Sequence, residues 1–206
     1  MKPTIILSFL FQLCSFAGIS QIRNATTAEI DDFIKKQMDS LHMPGLSIAI
    51  IRDSKIIYHR AVGTANIETK EKVNDESIFE AASLSKPVFA FFVLRMVEKG
   101  IIELDRPLYF YLPDTTMERD PRYRRVTARM VLCHTTGFPN WRWFDLADSS
   151  LHIKTGDFYM KHDPGKTFSY SGEGYHYLAR VIAHNNFMND VELNNLFRQE
   201  VGVPLG

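Results

Sequence analysis

A serine and a lysine lie three residues apart at the start of the most apolar stretch of the chain, Ser83 and Lys86. Pro87 fits only the first turn of a helix, so the helix is expected to begin near Ser83. Residues three apart on a helix share one face, which lets the lysine amine reach the serine hydroxyl. The positive end of the helix dipole would face a developing oxyanion. The pattern therefore predicts a nucleophile, a base and an electrostatic donor at one helix terminus.

The context of this S-x-x-K string matters, because such a string is expected by chance roughly once in a chain of this length. It occurs once here, and in the segment 88–97 that follows only Arg95 is polar. A helix that is apolar on nearly every side is enclosed by the rest of a domain. A charged lysine facing such a core needs a partner. We therefore predict a buried central helix ending at Gly100, with Ser83 and Lys86 catalytic.

The composition of the chain is that of a globular protein with a real core: 206 residues, of which 45% are hydrophobic and 12% aromatic. Its 24 basic and 24 acidic residues balance. This balance excludes the electrostatic footprint of a nucleic-acid partner and a basic face for anionic lipid. No cofactor and no metal site are predicted, and the expected partner is a small-molecule or peptide substrate.

The N-terminus has the features of an export signal. An apolar run at 5–19 follows a lysine and ends in small residues, which predicts a signal peptide over 1–20 with cleavage before Gln21. The run is short for a membrane span and is interrupted by Gln12, so an anchor is the lesser alternative. The expected location is the periplasm or the exterior, and the expected domain covers 21–206.

The first elements after the signal are a helix and a hairpin. Thr26 and Glu29 form a capping box that opens an amphipathic helix. The β-branched runs at 46–51 and 56–62 are separated by a polar turn and predict two antiparallel strands. Two strands do not make an independently stable sheet, nor can they cover the apolar helix at 88–97. We therefore expect further strands and interpret the sequence as the N-terminal portion of a longer domain.

Three later segments hold residues that could serve a site. Thr127 caps a short helix that ends near His134, and this histidine is either a base or a structural residue bonded to nearby carbonyls. Trp141 and Trp143 lie in an aromatic loop that either lines a substrate pocket or closes a small core. Tyr170 is followed by small residues and glycines, which let the backbone approach a ligand closely. After them a helix is expected from 175 to about 183.

Four motifs in order resemble the serine β-lactamase-related group, which includes class C β-lactamases, D,D-peptidases and related esterases. They are F-E-A-A-S-L-S-K at 79–86, L-D-R-P-L at 104–108, L-C-H-T-T-G at 132–137 and Y-S-G-E-G-Y at 170–175. The similarity extends from about Ile30 to the C-terminus. The S-x-x-K element of such enzymes carries the acylated serine.

The resemblance implies an α/β (α+β) fold, with an antiparallel sheet flanked by helices, a mainly helical insert and the active site between them. It implies that Ser83 is the nucleophile, that Lys86 keeps its hydroxyl activated and that Tyr170 shuttles protons. The backbone N–H of Ser83 would supply half of an oxyanion hole. Substrate contacts are expected at Gly172, Trp141 and Trp143, the last two as the pocket alternative for the aromatic loop.

Two departures from the family pattern affect the expected activity. The lactamase tyrosine motif usually ends in an asparagine that holds a substrate carbonyl, whereas Gly172 offers no side chain, which argues against a β-lactam preference. No K-T-G or H-x-G strand, the source of the second oxyanion donor, follows the tyrosine motif before Gly206. As written, the chain is expected to be a weak catalyst or none.

Two functions follow from these residues. The first is a serine hydrolase that acts through an acyl-enzyme on an ester, amide or peptide carbonyl outside the cytoplasm. The second is a non-catalytic penicillin-binding or peptidoglycan-sensing module of the same fold, which the incomplete tyrosine motif at Gly172 favours. The complete set of Ser83, Lys86 and Tyr170 favours the hydrolase, because turnover needs all three and a sensor does not.

Overall fold

The computed structural model describes residues 25–143 and 153–205, which fall into two compact units divided after Glu80. The predicted signal peptide at 1–20 lies outside the described residues. Among the helices of the described part, none is long and apolar enough to cross a membrane.

The first unit is a helix with a small antiparallel sheet, and it confirms the predicted helix and hairpin. Helix α1 spans Thr27–Leu41 and opens with the capping box of Thr26 and Glu29. Strands β1 (Gly45–Arg52) and β2 (Lys55–Asn66) pair antiparallel. The segment after β2 contains a two-residue strand β3 (Glu71–Lys72) that pairs with β2.

Side-chain hydrogen bonds join α1 to the sheet within this unit. The phenol of Tyr58, a buried residue of β2, donates to Asp31 on α1 over 2.6 Å. Arg60, two residues further along the same strand, donates to both oxygens of that carboxylate at 3.0 and 3.2 Å. Residues two apart on a strand lie on one face, so the face of β2 that holds both side chains meets the helix.

The second unit is mainly helical. A 3-10 turn, Ala82–Leu84, runs directly into α2 (Ser85–Glu98). The other helices are α3 (Ala128–Leu132), α4 (Gly172–Asn185), α5 (Asp190–Phe197) and the short α6 (Val203–Leu205). The passage between α2 and α3 contains 3-10 turns at Leu108–Phe110, Thr115–Met117 and Pro121–Arg125.

The core of this unit lies between α2, α4 and the turns that connect them. Its largest buried side chains are those of Phe92, Met96, Ile102, Leu108, Met117, Tyr123, Phe138, Tyr177, Leu178 and Ile182. Burial of aromatic and long aliphatic side chains is the main favourable term in folding. The core therefore fixes the N-terminal turns of α2 and α4 in space, and those turns carry the residues discussed below.

The prediction that α2 is enclosed on all sides is wrong for the described structure. Phe92 and Met96 are buried, but Val88, Phe91 and Leu94 each expose between 41% and 46% of their surface. The opposite face of the helix packs on the core just described. Helix α2 has apolar side chains on two faces, and either face could be buried. The described residues bury only one of them.

Helix α4 begins earlier than the sequence pattern predicts. It starts at Gly172 rather than near Tyr175, and the buried Ser171 is its N-cap, accepting a hydrogen bond from the backbone N–H of Gly174 over 3.0 Å. Two glycines in a first turn are typical of a loop, which is why the sequence predicted a later start. The serine cap offsets their low helix propensity.

The antiparallel sheet of the first unit and the helices of the second confirm the expected α+β fold class. Two further details agree with the sequence. Pro87 lies in the first turn of α2, and Gly100 follows that helix with a left-handed φ of 70°. Its backbone N–H donates to the carbonyl of Val97 over 2.9 Å, which ends the helix as a glycine in this conformation does.

Candidate active site

The serine of the S-x-x-K string lies on the 3-10 turn that leads into α2. Ala82, the residue before Ser83, has a φ of 43°, a left-handed value that an alanine adopts only when its surroundings impose it. The hydroxyl of Ser85 donates to the carbonyl of Ala82 over 2.5 Å and holds this turn. The strained backbone and this hydrogen bond therefore shape the turn that carries Ser83.

The structure brings together Ser83, Lys86 and Tyr170. The Lys86 amine donates to Ser83 Oγ over 3.2 Å, as the spacing on one helical face predicted. The Tyr170 phenol, 87 residues away in sequence, donates to the same oxygen over 2.7 Å. Lys86 Nζ also lies 4.8 Å from the centre of the tyrosine ring. Two proton-carrying groups thus converge on one hydroxyl.

The electrostatics of this group favour ionisation of the phenol. Hydrogen bonding from Lys86, followed by hydrogen bonding with Ser83, lowers the pKa of Tyr170 below its ordinary value. A positive charge or a donor beside a phenol stabilises the phenolate. The site therefore favours the phenolate of Tyr170 more than the surroundings of an ordinary tyrosine do.

His134 supports the tyrosine from the side. Its ring stacks on that of Tyr170 with centroids 4.4 Å apart, and it also lies 5.1 Å from the ring of Tyr175. Its Nδ1 accepts a hydrogen bond from the backbone N–H of Ser171 over 3.1 Å. Burial, and after it the charge of Lys86, lowers the pKa of His134, which favours the neutral ring. Of the two alternatives that the sequence left open, these contacts favour the structural role, with a backbone N–H rather than a carbonyl as the partner of the ring.

A short loop is bonded to the first turn of α4. The hydroxyl of Ser171 donates to the carbonyl of Pro139 over 2.8 Å. The backbone N–H groups of Gly172 and Glu173 both donate to the carbonyl of Asn140 over 3.0 Å, and the amide oxygen of Asn140 accepts a second contact from Gly172 at 3.0 Å. The N–H groups that a helix leaves unpaired at its start are thereby satisfied by this loop.

A buried ion pair fixes the other side of the same loop. Arg142 donates from Nε and Nη2 to one carboxylate oxygen of Glu173, at 3.0 and 2.8 Å, and its backbone N–H donates to the other at 3.2 Å. The two side chains are only 12% and 5% exposed. Trp141 thus lies between two anchored residues, Asn140 and Arg142.

Trp141 lies against Gly172. A Cβ atom added at Gly172 would be 2.5 Å from Cζ2 of the indole, a separation that no side chain tolerates. Gly172 is therefore needed for the approach of an aromatic ring, although its backbone lies in ordinary helical structure. Where the lactamase pattern has an asparagine side chain, this chain has the face of a tryptophan.

Two adjacent cavities open at this site. The first, which we call the nucleophile cavity, has a volume of about 620 Å³ and is lined by Ser83, Lys86, Leu132, His134, Tyr170 and Tyr175. The second, which we call the side cavity, has a volume of about 530 Å³ and is lined by Lys86, Phe89, Trp141, Gly172, Tyr175 and Ala179. Lys86 and Tyr175 border both cavities, so the two are neighbours across these side chains.

The two tryptophans predicted for substrate contact are separated. Trp141 lines the side cavity, whereas Trp143 lines a different cavity of about 210 Å³, together with Thr116 and Arg180. The ring of Trp143 lies against Gly156, where an added Cβ would be 2.4 Å from it. The structure thus brings Trp141 and Gly172 beside Lys86 and does not bring Trp143 there.

Sequence reasoning missed four residues of this site: Asn140, Arg142, Glu173 and Tyr175. Glu173 carried a weak signal, since a charged residue between two glycines at a helix start needs a partner if it is buried. Its partner Arg142 lies 31 residues away, and no local pattern joins them. In the described ranges, no group of acidic, histidine and cysteine side chains is arranged to hold a metal ion.

A serine hydroxyl in contact with a lysine amine and a tyrosine phenol at the start of a helix is typical of serine acyl-transfer sites with an S-x-x-K element. Comparison with protein families agrees with this class. A family model described as Beta-lactamase matches residues 30–206. The chain therefore belongs to the Beta-lactamase family, as its motifs indicated.

Two curated relatives illustrate the range of this family. Protein flp of Staphylococcus aureus (strain N315) is 23% identical over 170 residues, which cover 79% of this chain and 34% of the relative. Esterase EstB of Burkholderia gladioli is 30% identical over 115 residues, which cover 55% of this chain and 29% of the relative. The chain thus spans about a third of the length of these relatives.

Comparison with solved structures supports the fold. The octameric penicillin-binding protein homologue from Pyrococcus abyssi matches with a TM-score of 0.71 at 21% identity. The match covers 88% of this chain and 43% of the other chain. At this identity the similarity establishes a β-lactamase/transpeptidase-like fold. It does not assign a reaction, which must be argued from the residues of the site.

Proposed function

We propose that the protein is a serine hydrolase that acts through an acyl-enzyme on an ester, amide or peptide carbonyl. The observation that carries the proposal is the contact of Ser83 Oγ with both Lys86 Nζ, at 3.2 Å, and the Tyr170 phenol, at 2.7 Å. A poor nucleophile becomes reactive when a neighbouring base can take its proton. The phenolate of Tyr170 can act as this base, and the lowered pKa of Tyr170 favours its formation.

In the first half of the proposed reaction, Ser83 Oγ bonds to the carbonyl carbon while its proton passes to the Tyr170 phenolate. The tetrahedral intermediate collapses as the bond to the leaving oxygen or nitrogen breaks, and that atom takes the proton from the phenol. In the second half, water adds to the acyl-enzyme, giving one proton to Tyr170, and the free acid departs as Ser83 recovers its proton. Lys86 keeps the site positive throughout.

The negative charge of the intermediate would be stabilised by the start of α2. Ser83 lies directly before this helix, and free N–H groups together with the helix dipole favour an anion there. The backbone N–H of Ser83 is proposed as one of the oxyanion donors. The serine that attacks and the donor that stabilises the product of attack would then belong to one turn.

Among carbonyl substrates, we propose that esters and peptides are preferred over β-lactams. The place where the lactamase pattern has an asparagine amide is covered by the Trp141 ring on Gly172. That face offers apolar contact rather than an amide for the substrate. The similarity to a protein named as an esterase supports ester hydrolysis.

A fluorophosphonate probe tests the proposed nucleophile on the full-length protein. We expect labelling of the wild type, loss of labelling in Ser83→Ala and normal labelling in Ser40→Ala, a matched change at an exposed serine of α1. Labelling that survives in Ser83→Ala would overturn the assignment. Rapid turnover of nitrocefin without action on short-chain esters would overturn the substrate preference.

A second candidate is a non-catalytic penicillin-binding or peptidoglycan-sensing module of the same fold, favoured by the missing side chain at Gly172. The two candidates differ in the fate of the acyl group. A labelled penicillin that remains on Ser83 for hours would support the sensor. Release within a catalytic cycle, together with turnover of an ester, would support the hydrolase.

We further propose that the protein acts outside the cytoplasm after removal of residues 1–20. The motifs at the N-terminus motivate this, since a charged start, an apolar run and small residues are what a signal peptidase accepts. The mature protein would begin at Gln21. N-terminal sequencing of protein recovered from the periplasm or medium tests this, and an intact Met1 in active protein would contradict it.

A further inference from the structure

We infer that Trp141 determines acyl specificity, by making the side cavity an apolar pocket for the acyl group of the substrate, aromatic or branched. The inference rests on the proposed hydrolase and names which part of its substrate is selected. It arises from three observations: what lines the side cavity, where the cavity lies relative to Ser83, and how firmly Trp141 is held.

The exposed lining of the side cavity is mostly apolar, although Ser85, Lys86 and His176 also border it. Phe89 from α2, Tyr175 and Ala179 from α4, and Trp141 from the loop face a volume of about 530 Å³. Such a volume is in the range of pockets that enclose small organic ligands. Aromatic walls with few polar groups favour an apolar occupant, because it leaves water without losing hydrogen bonds.

The position of the cavity fits the acyl side of a substrate. Lys86 contacts Ser83 Oγ and also borders the side cavity, and Tyr175 borders both cavities. A carbonyl carbon bonded to Ser83 therefore has the side cavity as its neighbour across Lys86. A group attached to that carbon can extend past the aliphatic stem of the lysine, whose amine stays with the serine.

The residues on both sides of Trp141 are anchored, and its indole lies on Gly172, although the residue is 39% exposed. Gly172 lets the indole lie directly on the start of α4, and any side chain there would collide with it. Asn140 and Arg142, its two neighbours, are bonded to the same helix start through the backbone of Gly172 and the carboxylate of Glu173. A wall held in this way needs no reorganisation when substrate binds, which is how a pocket gains selectivity.

Hydrolysis of p-nitrophenyl esters by the full-length protein tests the inference. We expect kcat/KM for the phenylacetate to exceed that for the acetate by at least about tenfold, since one apolar group in a pocket discriminates by about 10- to 200-fold. Trp141→Ala should reduce this ratio at least about fivefold. Trp141→Phe, which keeps an aromatic wall, should keep most of it.

The matched control is Trp143→Ala, which removes a tryptophan two residues away that lines a different cavity. It should leave the phenylacetate-to-acetate ratio within about twofold. Gly172→Ala adds a second arm, because its Cβ would displace the indole. Gly172→Ala should lower the phenylacetate-to-acetate ratio when Trp141 is present. In the double variant with Trp141→Ala it should have little further effect on the ratio, a coupling that general destabilisation would not produce. Thermal melts identify any variant that does not fold.

The outcomes separate the inference from the function on which it rests. Absence of Ser83-dependent hydrolysis and of fluorophosphonate labelling overturns the proposed hydrolase and this inference with it. Ser83-dependent hydrolysis with an equal rate for both esters overturns the inference alone. So does a ratio that Trp141→Ala leaves unchanged or that Trp143→Ala lowers equally. If Trp141→Ala fails to fold, the other two variants provide the test: the inference requires that Trp141→Phe keeps most of the ratio and that Gly172→Ala lowers it. A ratio that Gly172→Ala leaves unchanged overturns the inference.

Discussion

The Ser83 oxygen has two lone pairs, and in this structure each has a donor. Lys86 donates to it over 3.2 Å and Tyr170 over 2.7 Å. The serine proton can therefore move only to a group that has first lost its own. The lowered pKa of Tyr170 indicates that the phenol gives up its proton more readily than an ordinary tyrosine does. We accordingly assign the base to Tyr170 in the proposed reaction and the positive charge to Lys86.

Replacement of Tyr170 by phenylalanine tests this assignment. The change keeps the ring that stacks on His134 and removes only the hydroxyl. We expect kcat for ester hydrolysis to fall about 100- to 10,000-fold, the usual contribution of a general base, with a smaller change in KM. Steady-state kinetics and a thermal melt provide the measurement. A nearly normal kcat in this variant would show that a group other than Tyr170 acts as the base.

The pH dependence gives a separate test of the role of Lys86. Because Lys86 is the first cause of the lowered pKa of Tyr170, the phenolate forms below pH 10, the ordinary value of a tyrosine. The ascending limb of kcat/KM, which reports the ionisation of the base, should therefore have its midpoint below that pH. In Lys86→Met the limb should move to higher pH and the maximum should fall. An unchanged limb in this variant would show that another group sets it.

At the scale of elements, the loop at 139–142 and the start of α4 act as one piece. The pair formed by Arg142 and Glu173 is nearly buried, with side chains 12% and 5% exposed. Removal of one partner of a buried pair leaves a charge without compensation. The exposed pair of Asp105 and Arg129 has similar geometry, with contacts of 2.7 and 2.8 Å, but its side chains remain in water.

We therefore expect Glu173→Ala to lower the free energy of unfolding by about 3–5 kcal/mol. Asp105→Ala, the matched change in the exposed bidentate pair, should cost far less, because water already screens that pair. Urea denaturation of both variants provides the comparison, and ester kinetics should show a loss of acyl preference in Glu173→Ala if it folds. Equal losses of stability in the two variants would contradict the view that burial decides the effect.

Much of the element structure could be predicted from local patterns. The capping box at Thr26, the hairpin and the turn that carries Ser83 each depend on residues within a few positions of one another. The start of α4 could not, because Gly172 is needed for contact with Trp141, which lies 31 positions earlier in the chain. A glycine selected by a distant ring looks the same in sequence as a glycine selected by a turn.

At the scale of the whole molecule, the sequence predicted the fold class and the meeting of Ser83, Lys86 and Tyr170, the latter through motifs that resemble a family. It did not predict which faces are covered. The apolar run of α2 suggested enclosure, yet Phe91 and Leu94 are each 46% exposed. Hydrophobic periodicity reports which residues can be buried, and only the packed structure reports which of them are.

Acid stability is a property of the whole described chain, because many of its carboxylates are held ionised by hydrogen bonds. The pKa values of the following carboxyl groups are lowered: Glu29, Asp31, Asp105, Asp114, Glu118, Asp120, Asp157 and Glu200. Asp114 is the most buried of them at 3% exposure. Its burial alone would raise its pKa, but hydrogen bonds from Thr116 and Arg180 outweigh that effect.

A lowered pKa in the folded state means that the unfolded chain binds more protons in acid, so the stability these groups contribute is present above about pH 4 and is lost as the pH falls through their folded values. We expect the urea midpoint to fall slightly below about pH 6.5, where His134 is protonated more readily in the unfolded chain than in the folded one, and to fall further below about pH 4. Asp114→Asn should be less stable than the wild type at neutral pH, because Arg180 loses its charged partner, and the two curves should converge in acid as the wild-type carboxyl becomes protonated. A midpoint that stays constant or rises below about pH 4, or a gap between the curves that widens there, would contradict this linkage.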